Sequence, residues 1–131
     1  CHCFTQDRKP DHKAHLAYSE GRESRTFCEE RYKHSKTLLE HLKAMNGAYV
    51  FINEKKGQNQ NYMRVPLDGT SYEIYFKISR TNKEGIDLNL YVQSAFHRTH
   101  GAARKLGKIR FATAVYNTYH GKAVKAPPKH R

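Results

Sequence analysis

The chain has 131 residues, 37% of them hydrophobic, with 24 Lys and Arg against 12 Asp and Glu and a formal net charge of +12. That length suits one domain, residues 1–131, with a single modest core. No apolar run approaches the ~20 residues a membrane helix needs and no secretory leader is visible, while the irregularly spaced Cys1, Cys3 and Cys28 suit a reducing compartment, the cytoplasm, better than a disulfide framework.

The chain opens on Cys1 rather than Met, so it reads as a fragment, a processed product or a part of something longer. Residues 1–25 are polar, show no period and read as an irregular arm. Residues 26–46 read as helix. Thr26 and Glu29 have capping-box spacing, and Leu38, Leu39, Leu42 and Met45 form an apolar stripe. Asn46-Gly47 is a stop signal, and a break near Ser35 would divide the helix in two. From residue 48 the period changes to two. Residues 48–53 and 62–67 read as strands, with Pro66 suggesting an edge and Asp68-Gly69 a turn. In 71–80, Tyr72, Ile74, Phe76 and Ile78 alternate with Glu73, Tyr75 and Lys77. In 86–97, Ile86, Leu88, Leu90 and Val92 alternate with Asp87, Asn89, Tyr91 and Gln93. In 108–118, Ile109, Phe111 and Val115 alternate with Arg110, Ala112, Ala114 and Tyr116. Such alternation marks antiparallel strands with one face in a core. The expected class is α+β: an N-terminal helical region packed on one face of a four- to five-stranded antiparallel meander over 48–120. Residues 98–107 make a basic loop, and 121–131 a basic, extended tail.

The charge is unevenly placed. Every acidic residue lies between Asp7 and Asp87, and residues 88–131 carry nine Lys or Arg and no acid. A solvated face normally mixes both signs, so a one-sign segment points to a polyanion, most directly nucleic acid. In a simple meander, Tyr75, Tyr91 and Lys77 share the open face with Arg110 and Tyr116. His97 then lies near Arg110, and Tyr91 near Tyr116. Exposed tyrosines can stack bases while cations hold phosphates, although tyrosine is also frequent in strands for propensity alone. Arg98, His100, Arg104, Lys105 and Lys108 would ring the loop, with Lys122 after the last strand. That arrangement suits RNA or a single strand more than a duplex.

Metal-free RNA cleavage needs a base, an acid and cations around the phosphorane. His97, His120, Arg110 and Tyr116 are residues of that kind, with Glu73 as an alternative base. The plain alternative is a set of solvated side chains in a His-rich chain. Cys1, His2, Cys3, His12, His15, Cys28 and His34 are of zinc-ligating type, but their spacing matches no finger, so neither metal nor cofactor is assigned. No phosphate-binding loop, dinucleotide fingerprint or helix-turn-helix signature occurs.

Two resemblances follow from these residues. The blocks Leu90-Tyr91-Val92-Gln93-Ser94-Ala95-Phe96 and Tyr116-Asn117-Thr118-Tyr119-His120-Gly121-Lys122 resemble small basic bacterial proteins of unknown function, some carried on mobile elements. In outline, helices followed by a basic antiparallel sheet are similar to the barnase/EndoU/colicin/RelE-type toxin ribonucleases. That likeness implies RNA cleavage on the sheet face, with roles for His97, Arg110, Tyr116 and His120. The reading is therefore a nucleic-acid-binding domain, with a metal-independent ribonuclease or toxin as its catalytic form. The alternative is a non-catalytic domain whose basic face meets an acidic protein partner. No membrane partner is expected.

Overall fold

The computed structural model describes residues 2–55, 58–67, 70–98 and 107–128. Strands dominate, which corrects the expected helical N-terminal region. Within the supposed irregular arm, β1 (Thr5–Asp7), β2 (Ala17–Glu20) and β3 (Glu23–Phe27) form an antiparallel sheet in the order β1-β3-β2. A buried polar network marks it. The Arg25 guanidinium donates to Thr5 Oγ1 at 2.7 Å and to Asp7 Oδ1 at 2.8 Å. Hydrophobic alternation could not reveal strands whose inward residues are Thr5, Arg25 and Thr26.

The helix expected over 26–46 divides near Ser35 into α1 (Glu29–Ser35) and α2 (Leu38–Lys43), and its start is corrected: Thr26 lies in β3 and Cys28 precedes the first helical residue. The break has a local cause. Ser35 Oγ donates to the Tyr32 carbonyl and Thr37 Oγ1 to the His34 carbonyl, drawing the backbone out of helix between them. Gly47, at φ +86°, then turns the chain into the second sheet.

That sheet is antiparallel and five-stranded: β4 (Tyr49–Lys55), β5 (Gln58–Leu67), β6 (Thr70–Arg80), β7 (Leu88–Arg98) and β8 (Lys108–Arg110). Its order is β7-β6-β5-β4-β8, so the last strand pairs with β4 and not with β7. The simple meander is corrected on this point. The expected final strand over 108–118 is corrected too. Only Lys108–Arg110 is strand, and Phe111–Tyr119 forms α3. Phe111 and Val115, four apart, fit a helix as well as a strand, whereas Phe111 and Ala114, three apart, share a face only in a helix, and burial resolves the ambiguity. Ala114 is fully buried, Ala112 is exposed, and the Phe111 ring meets Phe76 edge-on at 6.2 Å.

One core lies on one face of this sheet. Val50, Ile52, Met63, Ile74 and Phe76 supply it from the strands, with Met45 and Ala114 from the helical side. Leu38 and Leu42 of α2 pack against it, whereas Leu39 of the expected stripe is 62% exposed. After α3 the tail runs back along β8. Val124 and Ala126 pack on the core, and a Cβ at Gly107 would collide with that of Ala126. No described helix is long and apolar enough to cross a membrane.

Candidate functional site

The sheet face opposite the core carries the residues of interest. Strand alternation sends Tyr72, Ile74 and Phe76 to the core, and Glu73, Tyr75 and Lys77 to this second face. Register then places Tyr62 beside Tyr75 and Phe51, with Arg64 and Phe96 on either side of Glu73. Four rings stack across four strands. Phe51 and Tyr62 are 5.0 Å apart between centroids, Tyr62 and Tyr75 5.0 Å, and Tyr75 and Phe96 5.5 Å, with planes 9–24° apart. Cations cover this ladder. Arg64 lies over Phe51 at 4.6 Å, and Arg31 over Phe96 at 5.2 Å. At the β4–β8 edge, Lys108 and Arg110 sit 4.9 and 5.2 Å from the centroid of Tyr49.

Glu73 anchors the face. It is 1% exposed, and its carboxylate accepts from Arg98 Nε at 2.8 Å, Arg98 Nη2 at 2.9 Å and the Tyr75 hydroxyl at 2.6 Å. Arg64 Nε lies 3.6 Å away. Burial alone would raise the pKa of this carboxyl. Hydrogen bonds from Arg98 and Tyr75, with the charges of Arg98 and Arg64, outweigh it and hold the group below its usual value. Burial, reinforced by the bond donated to Glu73, pushes the Tyr75 phenol up to about 12. The bond to Glu73 likewise raises Arg98. Glu73 is thus a structural counter-ion, closed to solvent, and is not placed to act as a base.

The expected catalytic residues do not converge. His97 lies on β7, at one edge of the sheet, and Arg110 on β8 at the other. Four strand spacings, roughly 19 Å, separate those edges. Tyr116 and His120 belong to α3 and its C-terminus on the core side, their rings 4.2 Å apart and tilted by 45°, with Lys122 over the Tyr116 ring at 5.4 Å. Tyr116 and Tyr119 line a shallow groove with Ile86 and Phe111. The expected contact of Tyr91 with Tyr116 is replaced by Tyr91 beside Lys77, on the opposite face.

Among the expected binding residues, Lys108 and Tyr91 are exposed, and Lys77 is half-buried on the second face. Arg98 is there too, but joined to Glu73. Tyr75 is no stacking platform, because Tyr62 and Phe96 occupy both faces of its ring. Lys122 follows α3, away from this face. His100, Arg104 and Lys105, like the Asp68-Gly69 turn, lie outside the described residues.

His97 has other partners. Its Nδ1 lies 3.2 Å from Glu30 Oε1 of α1, and its Nε2 meets Thr70 Oγ1. Of the Cys and His side chains noted near the N-terminus, His2 pairs with Glu23 and His12 with Thr26, while Cys3 packs against the core. His34 stacks on Tyr72. Sequence reasoning missed Tyr49, Phe51, Arg64 and Phe96. Tyr49, Phe51 and Arg64 lie in the short strands 48–53 and 62–67, whose neighbours only the pairing register reveals, and a register shift that passes over Gln93 turns Phe96 to this face and Ala95 to the core.

No solved structure matches the chain. Protein YjaZ of Escherichia coli (strain K12) is 33% identical over 134 residues, spanning 98% of this chain and 72% of that protein. Its name states no activity. Residues 1–119 match the YjaZ family, and the chain therefore belongs to the YjaZ family.

Proposed function

We propose that this protein is a binding module for RNA or another single-stranded nucleic acid, which it meets on the second face of the five-stranded sheet. One observation carries the reading. Arg31, Arg64, Lys77, Arg98, Lys108 and Arg110 surround the aromatic ladder, and Glu73 is the only carboxylate among the described strand side chains on that face. Arg31, Arg64 and Arg98 are partly committed to internal partners. Lys77, Lys108 and Arg110 are the freer phosphate donors. Tyr49 and Tyr91, 45% and 62% exposed, offer surfaces for base stacking at the two sides. The interlocked rings between them form a stiff floor that needs no reordering on binding.

The separation of His97, Arg110, Tyr116 and His120 favours binding over metal-free cleavage. The free thiols of Cys3 and Cys28 accord with a cytoplasmic protein.

Fluorescence anisotropy with a labelled oligouridylate and a duplex of equal length tests the reading. Micromolar or tighter binding to the single strand, weakened at least tenfold by Lys108→Glu with Arg110→Glu, is expected. Absence of binding at low salt would leave an acidic protein as the better partner for this face. Total RNA incubated in EDTA is expected to stay intact.

A further inference from the structure

At the sheet edge, α1 packs beside β7, and the two elements bring three metal-ligating side chains together. Glu30 and His34 stand four residues apart on α1, so they project from one side of the helix. His97 comes from β7. One donor atom from each lies within 4.8 Å of the others. His97 Nδ1 and Glu30 Oε1 are already 3.2 Å apart. Two ligand atoms sharing a tetrahedral zinc-sized ion are about 3.3 Å apart, given bonds near 2.0–2.2 Å.

The surroundings orient the ligands. With His97 Nε2–H donating to Thr70 Oγ1, the Nδ1 lone pair faces Glu30. That is the outer support a metal-ligating imidazole usually has. His34 is held by stacking on Tyr72, 5.5 Å between centroids at 29°, with its ring 5.0 Å from that of His97. Neighbouring Glu29 is paired with Lys33, whereas no described Lys or Arg bridges Glu30.

We propose that Glu30, His34 and His97 bind one divalent transition-metal ion of the zinc class, with water completing its coordination. Two imidazoles and a carboxylate suit zinc and its first-row neighbours. Magnesium and calcium prefer all-oxygen shells. Three protein ligands leave a position open, which is the layout of reactive rather than closed structural sites. The net charge of +12 opposes a dication, but charges beyond about 8–10 Å are largely screened at moderate salt. The site rests on none of the argument for nucleic acid. Its competitor is a simple Glu30–His97 ion pair beside a packed His34 ring.

Zinc titration of the full chain against a chromophoric chelator separates the two, with cobalt absorption as the second readout. One tight zinc per chain is expected, with cobalt bands of a nitrogen- and oxygen-ligated centre. His34→Ala and His97→Ala should each weaken that step at least 100-fold. Glu30→Gln, at an exposed position where folding is not at risk, should weaken it by at least roughly tenfold, since losing even an outer-shell partner of a metal ligand costs about 10–100-fold. Absence of a stoichiometric step would overturn the site. So would a step that survives all three substitutions, or cobalt bands showing thiolate ligation.

Discussion

Glu73 sits where strand alternation sends a side chain towards solvent, yet it is sealed beneath Arg98, Arg64 and Tyr75. Removing its charge leaves two guanidinium groups crowded on an aromatic floor. Glu73→Gln should therefore cost about 3 kcal/mol, the lower end for a broken buried pair, because Arg98 and Arg64 keep partial contact with water. Urea denaturation at neutral pH measures it. The depressed pKa also gives the sign of a pH effect. An unfolded glutamate titrates near about 4.3, so the contribution of Glu73 is complete above that value and is lost as pH falls through the lower folded value. Wild-type stability should drop on acidification below about pH 4–5 more steeply than that of Glu73→Gln. Parallel curves for the two proteins would contradict the assignment. The residue type and its alternation with Tyr75 were legible in the sequence. Its burial was not, because Arg98 reaches it from β7 and Arg64 from β5.

At the scale of elements, α3 is the sharpest departure from the alternation pattern. In a strand, Ala112 and Ala114 would face the same way. In the helix, Ala114 is buried and Ala112 exposed. Ala114→Leu should overpack the core and cost about 1–3 kcal/mol, whereas Ala112→Leu should stay within about 0.5 kcal/mol. Equal effects in thermal melts would favour a strand. The tail adds a second check. Gly107→Ala should push Ala126 off the sheet edge and lower stability by about 1–2 kcal/mol, with faster amide exchange in residues 121–128. Regular alternation in 71–80 was legible because one face is uniformly apolar. The N-terminal strands were not, since their inward side is held by hydrogen bonds to Arg25. Of the helix read over 26–46, only Glu29–Ser35 and Leu38–Lys43 are helical, and hydroxyl-to-carbonyl bonds at Ser35 and Thr37 make the break that the sequence left open.

At the scale of the whole molecule, a phosphate-binding face predicts a salt law. If three to five phosphates are neutralised, the logarithm of single-strand affinity should fall against that of salt with a slope of roughly −2 to −3.5. Lys108→Glu with Arg110→Glu should flatten it by at least one. An unchanged slope in that variant would move the contact elsewhere on the molecule. The sequence alone determined that the molecule is basic, that its acids end at Asp87, and that 71–80 pairs within an antiparallel sheet. Those features need only counting and a period of two. Tertiary structure decided the rest. Placing β8 against β4 sends Arg110 to the edge far from His97, so the imagined catalytic group dissolves. The same topology sets β7 beside α1, where His97 meets Glu30 and His34 across more than sixty positions of chain. Long-range pairing is a property of the packed core as a whole, and no local pattern records which strand will sit at which edge.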